Sequence, residues 1–223
     1  QMRYWDGKAW KGTPEPRRPA TTPGSTGRKG GWVMSVQPGG RWRYLLICLV
    51  LAAVLLNIVM WLMRGGNMAW QASQPDWAIY LALILITSPL QAAAEEFFFR
   101  GYLQQAIGSL AGRAWVGVAC SSLVFAIFHG DQNVALFAHR LGFGLIAGTL
   151  VWATGGLEAA IAVHVANNVF AFGYALFTGG VATLKATSAI SWEAACSDLA
   201  SFAVFGALAW WIGRRMHVAT LTP

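Results

Sequence analysis

The sequence predicts an all-α, multi-pass membrane protein, and three observations carry that prediction. Of 223 residues, 56% are hydrophobic and only 11% are charged, with a mean hydropathy of +0.49; this leaves too little polar surface to clothe a soluble domain. The apolar residues gather into six runs, most of them near the roughly 20 residues that cross a hydrocarbon core. Basic residues flank those runs: Arg17, Arg18, Arg28, Lys29, Arg41 and Arg43 precede the first, and Arg214, Arg215 and His217 follow the last, so both termini are expected on the cytoplasmic side of a plasma membrane. A net charge of +7 could otherwise point to nucleic acid. The placement of the basic residues excludes that partner and leaves lipids and a peptide or membrane-protein substrate.

Taken in order, residues 14–43 hold "PEPRRPATTPGSTGRKGG", a Gly- and Pro-rich basic stretch expected to be a disordered linker. Ahead of it, residues 1–13 contain "QMRYWDGKAWKG", which resembles the end of a small actinobacterial domain with a W-D-G-x-x-W core. That resemblance implies a bacterial chain shortened at its N-terminus. Residues 44–217 are expected to form the membrane domain, with spans at Tyr44 to Met63, Trp77 to Gly108, Ala114 to His129 (a short one), Val134 to Ala153, Gly156 to Phe177 and Trp192 to Ile212. Tryptophans near the ends of these runs read as interfacial anchors. Pro89 predicts a kink in the overlong second span. Cys48, Cys120 and Cys196 have no C-x-x-C spacing and read as buried small apolar residues. No cleavable leader precedes the first run.

Polar residues inside these runs are costly and therefore informative. A charge facing lipid costs roughly 2.5 to 3.5 kcal/mol even on the lenient insertion scale, so "QAAAEEFFFR" predicts a protein-lined, polar intramembrane cavity. On a helix Glu96 and Arg100 share a face, while Glu95 points about 100° away. An ion pair can then hold Glu96 and leave Glu95 for other work; the lesser alternative is that all three form a structural staple. His129 ends the third span in "FAIFHGDQN", and His164 and Asn168 share a helix face in "AVHVANNVFAF" with Asn167 beside them; His and Asn also serve as interhelical glue. Around a turn at Gly108 to Arg113, Glu96 and His129 fall at similar depth, about 22 to 27 Å along straight helices. His164 is only eight positions past Gly156 and is expected to sit shallower. Ser121 and Ser122 read as packing contacts. His139 and Arg140 are placed at the outer interface, with Arg140 snorkelling.

E-E-x-x-x-R, F-x-x-x-H and H-x-x-x-N, in that order on successive helices, resemble the CPBP family of intramembrane proteases, which includes CAAX prenyl endoproteases and bacteriocin-processing enzymes. The likeness spans residues 77 to 175 and includes "GFGLIAGTLVWATGGLEAAIAVHVANN". It implies that Glu95 and Glu96 activate water, Arg100 orders them, His129 positions water or substrate, and His164 and Asn168 stabilise the oxyanion. The actinobacterial look of the N-terminus points away from a prenylated substrate.

Peptide hydrolysis needs a base, oxyanion donors and a proton for the leaving amine, and Glu, His and Asn supply all three. No cofactor is expected. Zinc held by two histidines and a glutamate is the alternative, with H-E-x-x-H absent. Two other readings compete with an enzyme: a scaffold or immunity protein that binds a partner at the same polar site, and a proton-coupled transporter, which the lack of an inverted repeat disfavours. Substrate identity and oligomeric state are not encoded legibly.

Overall fold

The computed structural model describes residues 4–5, 10–11, 34–36, 40–64, 75–178 and 180–220. Two short antiparallel strands, β1 (Tyr4–Trp5) and β2 (Trp10–Lys11), pair Tyr4 with Lys11 and Trp5 with Trp10. Most of the expected linker, residues 12–33, lies outside the described residues.

Helices make up the rest. They are α1 (Trp42–Arg64), α2 (Trp77–Ala111), α3 (Ala114–Ile127), α4 (Val134–Thr154), α5 (Glu158–Thr178), the single turn α6 (Val181–Lys185) and α7 (Trp192–Arg215). Five of them, α1, α2, α4, α5 and α7, are long and apolar enough to cross a membrane, and α3 is a shorter apolar helix of 14 residues. The chain is thus a multi-pass membrane protein. The expected spans match these helices to within a few residues.

The helix α5 is the axis of the bundle: it packs against α1, α2, α4 and α7, and Gly156 through His164 are buried without interruption. Its sequence explains this. Ala159, Ala160, Ala162 and Ala166 are small enough to let neighbouring backbones approach closely, which is what drives association where lipid is as apolar as the side chains. On α1, Tyr44, Cys48 and Ala52, spaced by four, form the stripe that packs inward, while Val50, Val54 and Ile58 face outward as a lipid-facing surface must. The Tyr44 hydroxyl donates to the Ala209 carbonyl at 2.9 Å and ties α1 to α7.

Two departures from the expectations position the site. First, the approach to α1 is not a free tether. Ser35 bridges Gly156, the Val36 amide donates to the Gly155 carbonyl at 2.9 Å, and the Leu157 amide donates to the Met34 carbonyl at 2.8 Å. Arg41 is buried, so residues 34–36 and 40–43 belong to the folded body rather than to the linker. Second, α2 runs unbroken past Pro89, and its departure from α-geometry is a π-helical stretch, Phe97–Leu103, immediately after the glutamates.

The ends of the bundle meet. Arg41 Nη1 donates to the Ala219 carbonyl at 2.9 Å, which puts the entry to α1 and the exit from α7 at one level.

Candidate active site

Glu96 is fully buried on α2 and is held from two sides. Its Oε1 accepts from Arg100 Nη1 at 3.0 Å, across one helical turn, and from His164 Nδ1 at 2.7 Å. Arg100 is itself enclosed by rings, with its guanidinium carbon 4.5 Å from the Phe125 ring centre, 5.8 Å from Phe143 and 5.9 Å from Phe99. These contacts are cation–π in kind and partly replace lost hydration. Phe143 and Phe125 also flank the His164 ring, at 5.1 and 6.1 Å.

Glu95 stands differently. Its side chain retains 24% exposure, and its Oε2 lies 3.7 Å from His164 Nε2. Its Oε1 accepts from Gln91 Nε2 at 3.0 Å. Nδ1 of His164 donates to Glu96, so Nε2 is the atom that faces Glu95. The gap is longer than a hydrogen bond and short enough for one water to touch both atoms. The site thus contains one clamped carboxylate and one accessible carboxylate, with a single imidazole between them.

His129 follows α3, its Nδ1 2.7 Å from the Phe125 carbonyl. A carbonyl only accepts, so that nitrogen carries the proton and Nε2 keeps its lone pair in the neutral ring. His129 lies within electrostatic reach of Glu95 and His164 without bonding to either. Asn168 sits one turn beyond His164; its side-chain oxygen accepts from Asn167 Nδ2 at 3.2 Å, and its own amide nitrogen is the donor on offer.

The structure therefore brings Glu95, Glu96, Arg100 and His164 into one network, with His129 near it and Asn168 adjoining on α5. The depth expected for His164 was wrong, and the reason is physical. The Gly108–Arg113 turn is exposed at its end, whereas Gly156, Leu157 and Glu158 are buried. Residue counts from the two turns are therefore not a measure of depth, because Glu96 Oε1 and His164 Nδ1 meet at 2.7 Å. Arg140 reaches back along α4 to the loop at its start, as a snorkelling side chain does. Its Nη1 donates to Gln132 Oε1 at 2.7 Å and to the His129 carbonyl at 3.3 Å, holding the loop that presents His129. His139 faces Asp198 on α7 at 3.4 Å.

No group of three His, Cys, Asp or Glu among the described residues is gathered to hold a metal ion. A groove of about 490 Å³ between α4 and α7, lined by Leu145, Ile146, Thr149 and Trp210 among others, is apolar and contains none of the site residues.

Comparison with known proteins agrees with this geometry. The family model described as type II CAAX prenyl endopeptidase Rce1-like matches residues 76–170, the stretch that holds every residue named in the network, and the likeness to CAAX-type proteases is shown for that stretch. The chain is also 32% identical over 128 residues to YyaK of Bacillus subtilis, a protein described as uncharacterized. The alignment takes in 55% of this chain and 42% of that relative, so the chain spans about two fifths of the curated relative it matches. No solved structure matches.

Proposed function

We propose that the chain is an intramembrane endopeptidase that hydrolyses a peptide bond with glutamate-activated water. The observation that carries this reading is the division between the two acids. Arg100 and His164 fix Glu96, and Glu95 stays accessible beside His164. Glu95 takes a proton from the attacking water as the oxygen bonds to the scissile carbonyl carbon. The resulting oxyanion is stabilised by donation from Asn168 Nδ2 and from Nε2 of His164 in its protonated form, Nδ1 being committed to Glu96, and the carboxylic acid of Glu95 returns its proton to the amine as the C–N bond breaks. His129 Nε2 accepts a hydrogen bond from the same water or from the substrate. Glu96, by ordering His164, is a positioning residue.

This chemistry uses glutamate, histidine and asparagine alone and needs no metal. The matched family supports a protease, and the lipid-embedded site supports a peptide or membrane-protein tail as substrate. The basic flanks support cytoplasmic placement of both ends.

The test is substrate trapping with reconstituted Glu95→Ala protein, mass spectrometry of what co-purifies, and cleavage of that polypeptide by the parent and by Glu95→Ala, Glu96→Ala and His129→Ala. Turnover that is equal in all four removes the reading. A trapped partner that the parent never cleaves replaces it with partner binding.

A further inference from the structure

Four buried polar atoms on one face of α2 have no hydrogen-bond partner within the protein: Glu96 Oε2, Arg100 Nε, Arg100 Nη2 and Gln104 Oε1. Their residues are spaced by four, Glu96 and Arg100 are fully buried, and Gln104 is 7% exposed. Buried polar groups are almost always bonded, if not to protein then to water. We infer that this face of α2 holds internal water, a hydration site running from Gln104 past Arg100 to the clamped glutamate; the inference extends the hydrolytic reading above, because a hydrolase inside a bilayer must be supplied with water.

The chemistry of the set selects water over other ligands. Two donating nitrogens stand between two accepting oxygens. An anion would face the Glu96 and Gln104 oxygens, and a cation would face the guanidinium; water both donates and accepts and suits the alternation. The facing helix α4 approaches closely at its glycines. Gly148 on α4 accepts from Gln104 Nε2 through its carbonyl at 3.0 Å, and a Cβ there would come within 2.7 Å of Gln104 Oε1. At Gly144 a Cβ would meet Ser122. Ser121 and Ser122 on α3 donate to the Val118 carbonyl, which leaves their oxygens able to accept from water. Phe125 and Phe143, stacked on Arg100, seal the sides.

Hydroxyl-radical footprinting with X-rays, read by mass spectrometry on the full chain in nanodiscs, tests this with water itself as the probe. Radicals made from internal water oxidise the rings beside it, which bulk radicals do not reach. Phe125 and Phe143 are expected to be labelled faster than Phe205, a fully buried ring on α7, and Gln104→Met is expected to lose most of that excess. Labelling of Phe125 and Phe143 as slow as that of Phe205, or an excess untouched by Gln104→Met, overturns the inference. Should Gln104→Met not fold, the three rings of the parent decide it alone. Labelling in a protein that cleaves nothing keeps the water site and removes the proteolytic reading; cleavage without the labelling does the reverse.

Discussion

Two buried arginine–glutamate pairs sit in this bundle, and they are built to opposite plans. At the α4–α5 turn, Arg41 donates through its backbone amide and Nε to Glu158 Oε1, both at 3.0 Å, through Nη2 to Glu158 Oε2 at 2.5 Å, and through Nη1 to the carbonyls of Thr154 and Ala219. Each guanidinium nitrogen has a partner. In the Glu96–Arg100 pair only Nη1 does, one carboxylate oxygen is open, and a histidine and a second acid adjoin. Burial of charge is common to both and so does not distinguish a site. Leftover hydrogen-bonding capacity beside a titratable ring does. The saturated pair can only hold the fold, whereas the unsaturated one can bind and exchange protons.

The contrast can be broken most forcefully at Glu95. Glu95→Gln keeps the size and the hydrogen bond to Gln91 but removes the base. Turnover on a trapped substrate is expected to fall by about 10² to 10⁴, with thermal stability unchanged. A comparable loss of stability would make Glu95 structural too. At the other pair the signature reverses. Glu158→Ala leaves Arg41 buried and uncompensated, at an expected cost of about 3 to 5 kcal/mol in unfolding measurements, much of which Arg41→Met with Glu158→Leu should restore. A cost below about 1 kcal/mol would mean that the saturated pair behaves like a surface one.

Next in size is Asn168→Ala. Loss of one oxyanion donor predicts about a 10²-fold or greater fall in kcat, with KM little changed. An unaltered kcat would confine the chemistry to α2 and His164. The smallest expected effect is at the turn itself. Gly155 has φ +68°, and a Cβ there would lie 2.7 Å from the Thr220 backbone, so Gly155→Ala should cost about 1 to 2 kcal/mol and leave kcat per folded molecule intact.

Much of the site was legible because isolated charge in an apolar run is conspicuous. "QAAAEEFFFR" announced itself, and helical spacing paired Glu96 with Arg100 correctly. The same reasoning applied to Glu158, a lone acid two positions past Gly156 in another apolar run, would have flagged the second pair, but its partner was disguised. Arg41 reads as one of the basic residues that orient a first span, and nothing local marks it as buried. His164 was misjudged in depth because depth was counted along straight helices from two turns, and how the helices lean on one another is a tertiary property. The partners of Arg140, Gln132 and the His129 carbonyl, were not legible, since they lie in a loop whose path the sequence does not specify. The hydration face was out of reach, since it requires knowing which polar atoms on α2 go unmatched by α3 and α4.

The hydrogen bond from Arg41 to the Ala219 carbonyl joins positions 178 apart in a chain of 223. During biosynthesis it cannot close until residue 219, beyond every helix from α1 to α7, has left the ribosome. A nascent chain that has inserted every helix but lacks its tail therefore keeps one guanidinium arm unlatched, and the bundle is completed from its two ends together.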